Sequence, residues 1–135
     1  SLDSNKIDFI FPNAFEDLTS LENLFISNNK LEFLHENLFT KNPKFKSFWV
    51  DYNKIEELKS GIFRNNLNLE LISFAHNRLK NIQVNFGDFQ RLFHANFERN
   101  FGNCSVKYDG FMKGEEERGV ALTEFQEGLN KMCKV

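Results

Sequence analysis

The sequence predicts an α/β solenoid, a curved stack of repeats with one short parallel strand per repeat on the concave side, irregular or helical turns on the convex side, and a C-terminal cap. Three observations support this fold class. An Asn, a Lys or Arg, and an Ile or Leu recur together every 24 residues, apolar residues around them keep the same register, and the period ends after Asn100. The trios are Asn5-Lys6-Ile7, Asn29-Lys30-Leu31, Asn53-Lys54-Ile55 and Asn77-Arg78-Leu79.

The apolar positions define the extent of each repeat. A third repeat begins at Leu69, and a fourth begins at Leu92, one residue earlier than the period requires. We therefore predict repeats over residues 1–103, with a half repeat over 1–20 and repeats starting at residues 21, 45, 69 and 92, and a cap over residues 104–135. Six positions correspond between the first two full repeats, namely Leu21, Leu24, Ile26, Leu31, Leu34 and Phe39 with Phe45, Phe48, Val50, Ile55, Leu58 and Phe63.

This pattern resembles the leucine-rich repeat family, in its extracellular 24-residue type with a Phe on the convex side. The resemblance covers residues 1–103. It implies a non-enzymatic module that recognises a protein, a peptide or a glycan on its concave face, often in immunity or development. It also implies a secreted or extracellular location, as a whole protein or as a fragment of an ectodomain.

The polar residue inside each apolar segment has a structural explanation. Alternation with a period of two, as in Leu24-Phe25-Ile26, turns Leu24 and Ile26 inward and Phe25 outward. Where the chain leaves each strand, backbone groups turn into the interior, and an Asn amide can pair with both donors and acceptors there. We predict a buried ladder formed by Asn5, Asn29, Asn53, Asn77 and Asn100. Phe15, Phe39, Phe63 and Phe86 should stack as a spine under the convex side.

The segment after Asn100 predicts a cap. Three glycines and the acidic run over residues 115–117 indicate that residues 107–120 form an exposed loop, which an amphipathic helix should follow. In an extracellular protein Cys104 and Cys133 should form a disulfide, as in the two-cysteine caps of short secreted repeat proteins that this cap resembles; in a cytosolic protein they would be buried free thiols. Asn103 begins a glycosylation sequon. The apolar face of the helix comprises Leu122, Phe125, Leu129 and Met132.

Composition and motifs narrow the function further. The 135 residues carry a formal net charge of −2 with both signs intermixed, so charge indicates neither a nucleic acid nor an anionic membrane as partner. No apolar run is long enough to span a membrane. The sequence contains no motif for catalysis, for a cofactor or for a metal. His76 and His94 should lie on adjacent strands within reach of each other, but two His without a third ligand make ordinary surface histidines the better interpretation.

The outward strand positions are the candidate binding site. The chain has a single Trp, and the alternation turns this Trp49 outward beside Phe25 on the neighbouring strand. Exposed aromatic residues on a rigid sheet are typical anchors for a protein partner. The alternative is that they are covered by another segment or merely exposed. The predicted binding residues are Phe25, Trp49, Asp51, Tyr52, Ser73, His76, His94, Glu98 and Arg99.

A second class of function is structural self-assembly. Because the first residues should lie within a strand, we expect an unpaired edge and an open core at the N-terminal end, which further repeats, another chain or a second copy could cover. The alternative function is therefore a structural protein that associates through this edge. An enzyme subunit is a more distant alternative.

Overall fold

The computed structural model describes residues 1–111 and 113–133, apart from the side chains of Asn103 and Met132. The predicted glycosylation site and the last apolar residue of the cap helix therefore lie outside the described side chains. The strands are β1 (Asn23–Phe25), β2 (Ser47–Trp49), β3 (Glu57–Leu58), β4 (Leu71–Ser73), β5 (Asn81–Ile82), β6 (His94–Asn96) and β7 (Lys107–Asp109). They precede the α-helix α1 (Glu115–Met132), and two short 3-10 helices lie at Phe86–Asp88 and Gly102–Cys104.

The concave sheet has the strand order β1-β2-β4-β6-β7. Its first four strands are parallel, and Phe25, Trp49, Ser73 and Asn96 lie side by side across them. The step between strands is 24 residues until β6, where the one-residue shift in the sequence makes it 23. On the convex side, β3 and β5 form a second parallel pair. The solenoid fold predicted from the period is confirmed.

Inward residues fill the interior between the two sides. The middle residues of β1, β2, β4 and β6 are buried, whereas Phe25 is 38% exposed. The predicted Phe spine forms over its first three members, since Phe15, Phe39 and Phe63 stack with ring centroids 6.1 Å apart at each step. The prediction of Phe86 as its next member is wrong. Phe63 instead meets Phe89 edge-on, with ring centroids 6.5 Å apart, because the third repeat is one residue short and Phe86 packs against Phe125 of the cap.

Asn side chains connect successive coils as hydrogen-bonded bridges. The Asn53 amide nitrogen donates to the carbonyl of Val50 in its own coil at 3.0 Å and to that of Ile26 in the preceding coil at 3.1 Å. Its oxygen accepts the backbone N–H of Leu31 at 3.0 Å. Asn29 and Asn77 repeat this pattern and, like Asn53, are buried.

The two ends of this ladder differ from its middle. Asn5 is exposed and bonds only within its own coil, to the carbonyls of Leu2 and Asp3. The prediction that Asn5 belongs to the core is therefore wrong for this structure, because no described coil lies over it. Asn100 is half-buried and still bonds across coils, accepting the N–H of Leu79 at 2.8 Å.

A second Asn ladder lies on the convex side and was not predicted from the sequence. Asn42 and Asn66 are fully buried. The Asn66 amide donates to the carbonyls of Phe39 and Asn42, and Asn42 donates to those of Phe15 and Leu18. The 24-residue spacing of the two Asn was a usable signal. It was missed because the period was followed only through the trios and the apolar positions.

The cap is more regular than predicted. Residues 107–109 were expected in a loop, but they form β7, which pairs antiparallel with β6. The acidic run was also assigned to that loop, whereas Glu115, Glu116 and Glu117 form the first turn of α1. Three carboxylates favour this position because they interact with the positive end of the helix dipole. Cys104 and Cys133 are joined in a disulfide across the cap, with Cα atoms 4.8 Å apart.

Replacing Asn53 by Ala should lower the free energy of unfolding by roughly 1–3 kcal/mol, because it leaves buried backbone groups unpaired in two coils. Asn28→Ala is not a neutral control, although its side chain points outward, because Asn28 has a φ of 57°, a region that Asn tolerates better than Ala. Asn13→Ala is the better control, since Asn13 is exposed. Equal shifts of the urea midpoint for Asn53→Ala and Asn13→Ala would contradict the ladder.

Opening the disulfide should destabilise the cap. The two cysteines are 29 residues apart, and closing a loop of that size contributes roughly 3.5 kcal/mol by restricting the unfolded chain. We expect the double variant Cys104→Ser, Cys133→Ser to unfold at a lower urea concentration than the oxidised protein. Wild-type protein treated with a reducing agent should behave similarly, and an unchanged midpoint in both cases would count against this contribution.

Candidate functional site

The concave sheet carries an exposed aromatic pair. Phe25 and Trp49 stack with ring centroids 6.1 Å apart and planes inclined by 10°. Phe25 is exposed and Trp49 half-exposed, since the inward positions beside them hold the core residues of β1 and β2. The pair is therefore a flat apolar platform that is available at the surface without unfolding.

Next to this platform lies a groove of about 790 Å³ between the sheet and the cap. We call it the cap groove. Trp49 belongs to both the platform and the groove, so the two surfaces are continuous. The residues that line the cap groove are Trp49, Leu71, Phe93, His94, Asp109, Phe111, Lys113 and Glu117.

The tight turn after β7 sets the position of Phe111. Gly110 donates its N–H to the carbonyl of Phe93 at 2.7 Å, and Phe111 donates its N–H to the Asp109 carboxylate at 3.1 Å. A Cβ atom on Gly110 would collide with the Tyr108 hydroxyl, so a larger residue at this point would have to displace that side chain. The turn brings the Phe111 ring to 5.5 Å from that of Phe93, where it remains 67% exposed.

Two predicted contact residues have structural tasks instead. Ser73 is only 1% exposed, since its short side chain lies between Trp49 and Asn96 on the flanking strands. Its hydroxyl donates to the Asp51 carboxylate at 2.6 Å, and the same oxygen accepts the N–H of Ala75 at 2.9 Å. Ser73 therefore cannot contact a partner in this structure, and Asp51 is committed to holding the neighbouring coil.

Another group of predicted residues lies beyond the strand ends. Tyr52, His76 and Arg99 occupy equivalent positions of successive repeats, each with φ between 56° and 63°. Tyr52 and His76 stack with ring centroids 4.2 Å apart. Glu98 is exposed and pairs with Lys107 at 3.8 Å. These side chains form a polar edge of the concave face, opposite the edge that holds the cap groove.

The two histidines do not come together. His94 begins β6, whereas His76 lies three residues beyond the end of β4, at the other edge of the sheet. Partial burial lowers the pKa of His94 below its ordinary value of 6.5, assisted by Lys107 and opposed by Asp109. Among the described residues, no group of three or more His, Cys, Asp or Glu could hold a metal ion.

The sequence analysis missed six of the eight residues that line the cap groove. Leu71 follows the outward alternation, but it was not selected because it is neither aromatic nor charged. Phe93 occupies the position of Lys46 and Glu70 in earlier repeats, which gives no apolar signal. Phe111 lies outside the period, and its approach to the sheet depends on the reversed direction of β7.

The geometry agrees with comparisons to known proteins. Residues 1–48 match the family model described as leucine rich repeat. The crystal structure of the LRIM1/APL1C complex aligns with a TM-score of 0.66 at 27% identity, covering 71% of this chain. The Drosophila Toll–Spatzle complex aligns with a TM-score of 0.71 at 26% identity, covering 74%. The leucine-rich repeat domain of APL1B aligns with a TM-score of 0.61 at 24% identity, also covering 74%. These matches show that the chain has the fold of a leucine-rich repeat solenoid.

The matched structures are much longer than this chain. It covers 18% of the matched chain in the LRIM1/APL1C complex, 13% in the Toll–Spatzle complex and 36% of the APL1B domain. No curated protein matches the sequence. No helix in the described part of the chain is long and apolar enough to cross a membrane.

His94 should make stability depend on pH. Because folding lowers its pKa, the unfolded chain binds this proton more readily, so the contribution of His94 is complete above pH 6.5 and is lost as pH falls below that value. We expect wild-type protein to lose more stability between pH 7.5 and pH 5 than His94→Gln does, as measured by urea unfolding at each pH. Identical losses would exclude this role.

Proposed function

We propose that the chain is a non-enzymatic binding module that presents its concave sheet to a protein or peptide partner. The observation that carries this proposal is the exposed Phe25–Trp49 platform, which continues into the cap groove. Large aromatic side chains contribute much contact area and lose little rotamer freedom on binding. Because a strand of the sheet supports each side chain, the platform needs little reorganisation when a partner binds.

The same proposal places the chain outside the cell, as a secreted protein or part of an ectodomain. A disulfide between Cys104 and Cys133 supports this location, since such bonds persist in oxidising compartments. The LRIM1/APL1C and Toll–Spatzle structures are complexes, and the latter is described as a hub in development and innate immunity. We propose recognition in immunity or development for this chain as well.

Self-assembly through the N-terminal edge is the second candidate function. The first coil exposes apolar residues away from the concave platform, among them Phe9 at 51% and Phe11 at 69%, with ring centroids 5.1 Å apart. If this coil mediates association, Phe11→Ser should reduce the mass measured by light scattering, whereas Trp49→Ala should not. A monomer in both proteins at high concentration would exclude self-assembly.

Trp49→Ala should weaken binding of the natural partner by about 2 kcal/mol or more, the scale of a buried aromatic anchor. The fold should persist, because Trp49 is half-exposed and outside the core. Partner recovery from native extract, followed by titration of the recovered partner, measures the effect.

Phe25 and Phe33 offer a matched comparison for that experiment. They are 38% and 39% exposed, but Phe33 lies away from the concave sheet, beside His35 and Lys59. We expect Phe25→Ala to weaken partner binding and Phe33→Ala to leave it unchanged. Equal recovery with Trp49→Ala and wild type would rule out the concave platform as the binding surface.

A further inference from the structure

Resting on the proposed function, we propose that the cap groove binds an extended segment of the partner protein in which an apolar side chain stands next to Arg or Lys. The apolar side chain would pack against the floor of the groove. The cationic group would lie against the rings and carboxylates that the cap supplies. The proposal thus specifies which side chains of the partner would contact one part of the concave surface.

The floor and one wall of the groove are apolar. Trp49 and Leu71 come from the sheet, Phe93 from the residue before β6, and Phe111 from the turn after β7. The volume of about 790 Å³ falls in the usual range for ligand sites, roughly 300–1,000 Å³. It is larger than one ammonium or guanidinium group requires, and the continuity with the Phe25–Trp49 platform suits a segment rather than an isolated ion.

The charges of the groove determine the sign of the bound group. Two carboxylates, those of Asp109 and Glu117, and one ammonium, that of Lys113, line it. Glu116, which lies next to Lys113 and Glu117 in the first turn of α1, adds negative charge beside the groove. His94 is neutral at pH 7 because burial lowers its pKa, so it does not oppose a cation. The local field is therefore negative, although the whole chain is close to neutral.

The lining carboxylates are available for a cation. Among the described residues, neither Asp109 nor Glu117 forms an ion pair, and the one hydrogen bond to the Asp109 carboxylate comes from the Phe111 N–H. Aromatic faces attract Arg and Lys, and a neighbouring carboxylate adds to this attraction. Phe93 and Phe111 with these two acids therefore form a setting suited to Arg or Lys on a bound chain.

Trp49 makes this inference directly testable. It is the sole Trp of the chain and lines the groove, so its fluorescence reports binding there. A phage-displayed library of random dodecapeptides supplies the probes, and selected sequences without Trp are then synthesised and titrated. We expect most selected peptides to place Arg or Lys beside Leu, Ile or Phe. Replacing that cation by Glu should raise Kd about tenfold or more, because the charge would then oppose the groove.

Neutral isosteres test the acidic residues. The double variant Asp109→Asn, Glu117→Gln should bind the basic peptide about fivefold more weakly, while a peptide with a neutral residue in place of the cation should bind both proteins equally. Asn at position 109 can still accept the Phe111 N–H, so the turn is preserved. The matched control is Glu124→Gln, Glu127→Gln, which removes two exposed charges of α1 outside the groove and should change neither affinity.

The outcomes separate this inference from the proposed function. Selected peptides that require Trp49 but carry no basic preference would overturn the inference and leave concave binding in place. Basic peptides that bind Trp49→Ala as tightly as they bind the wild type would also overturn the inference, because they would then be bound at another part of α1. If no peptide is selected, the inference is also overturned, and recovery of the natural partner by wild type but not by Trp49→Ala still decides the proposed function.

Discussion

The stack depends on the pairing of buried backbone groups by Asn side chains. Each coil turns sharply after its concave strand, and the turn points carbonyl and N–H groups into a largely apolar interior, where Asn side chains pair with them. Asn53 satisfies such groups in its own coil and in the preceding one, so it is both a turn residue and a link between repeats. Without it, burying the apolar residues of two coils would also bury unpaired polar groups.

This constraint also explains why the outward positions of the concave sheet can carry many kinds of residue. The inward side of each strand and the Asn after it determine the fold, whereas the outward positions carry few structural demands. Asp51 and Ser73 show the limit of that freedom, since their hydrogen bonds tie neighbouring coils together from the outside. Phe25 and Trp49 have no comparable task among the described contacts, which is why their exposure favours a binding role.

The sequence predicted the periodic part of the structure well, whereas in the cap it predicted the helix and the disulfide but neither β7 nor the approach of Phe111 to the sheet. In the repeats, one pattern occurs four times, and equivalent positions have the same environment. The inward position of Phe48 and the burial of Asn77 therefore follow from their place in the pattern. The cap occurs once. Nothing in the spacing of Phe111 indicates that it approaches Phe93, because that contact depends on the turn at Gly110 and on the direction of β7.

The direction of β7 links the closure of the sheet to the formation of the cap groove. The outer edge of β6 needs hydrogen-bond partners, and either a parallel or an antiparallel strand could provide them. After a parallel strand, the chain would leave the sheet at the polar edge near Arg99. The antiparallel β7 pairs Asp109 with His94 and so leaves at the opposite edge, where the turn that follows places Phe111 over the start of the concave strands. The antiparallel direction of β7 therefore both covers the edge of β6 and forms the apolar groove beside Trp49.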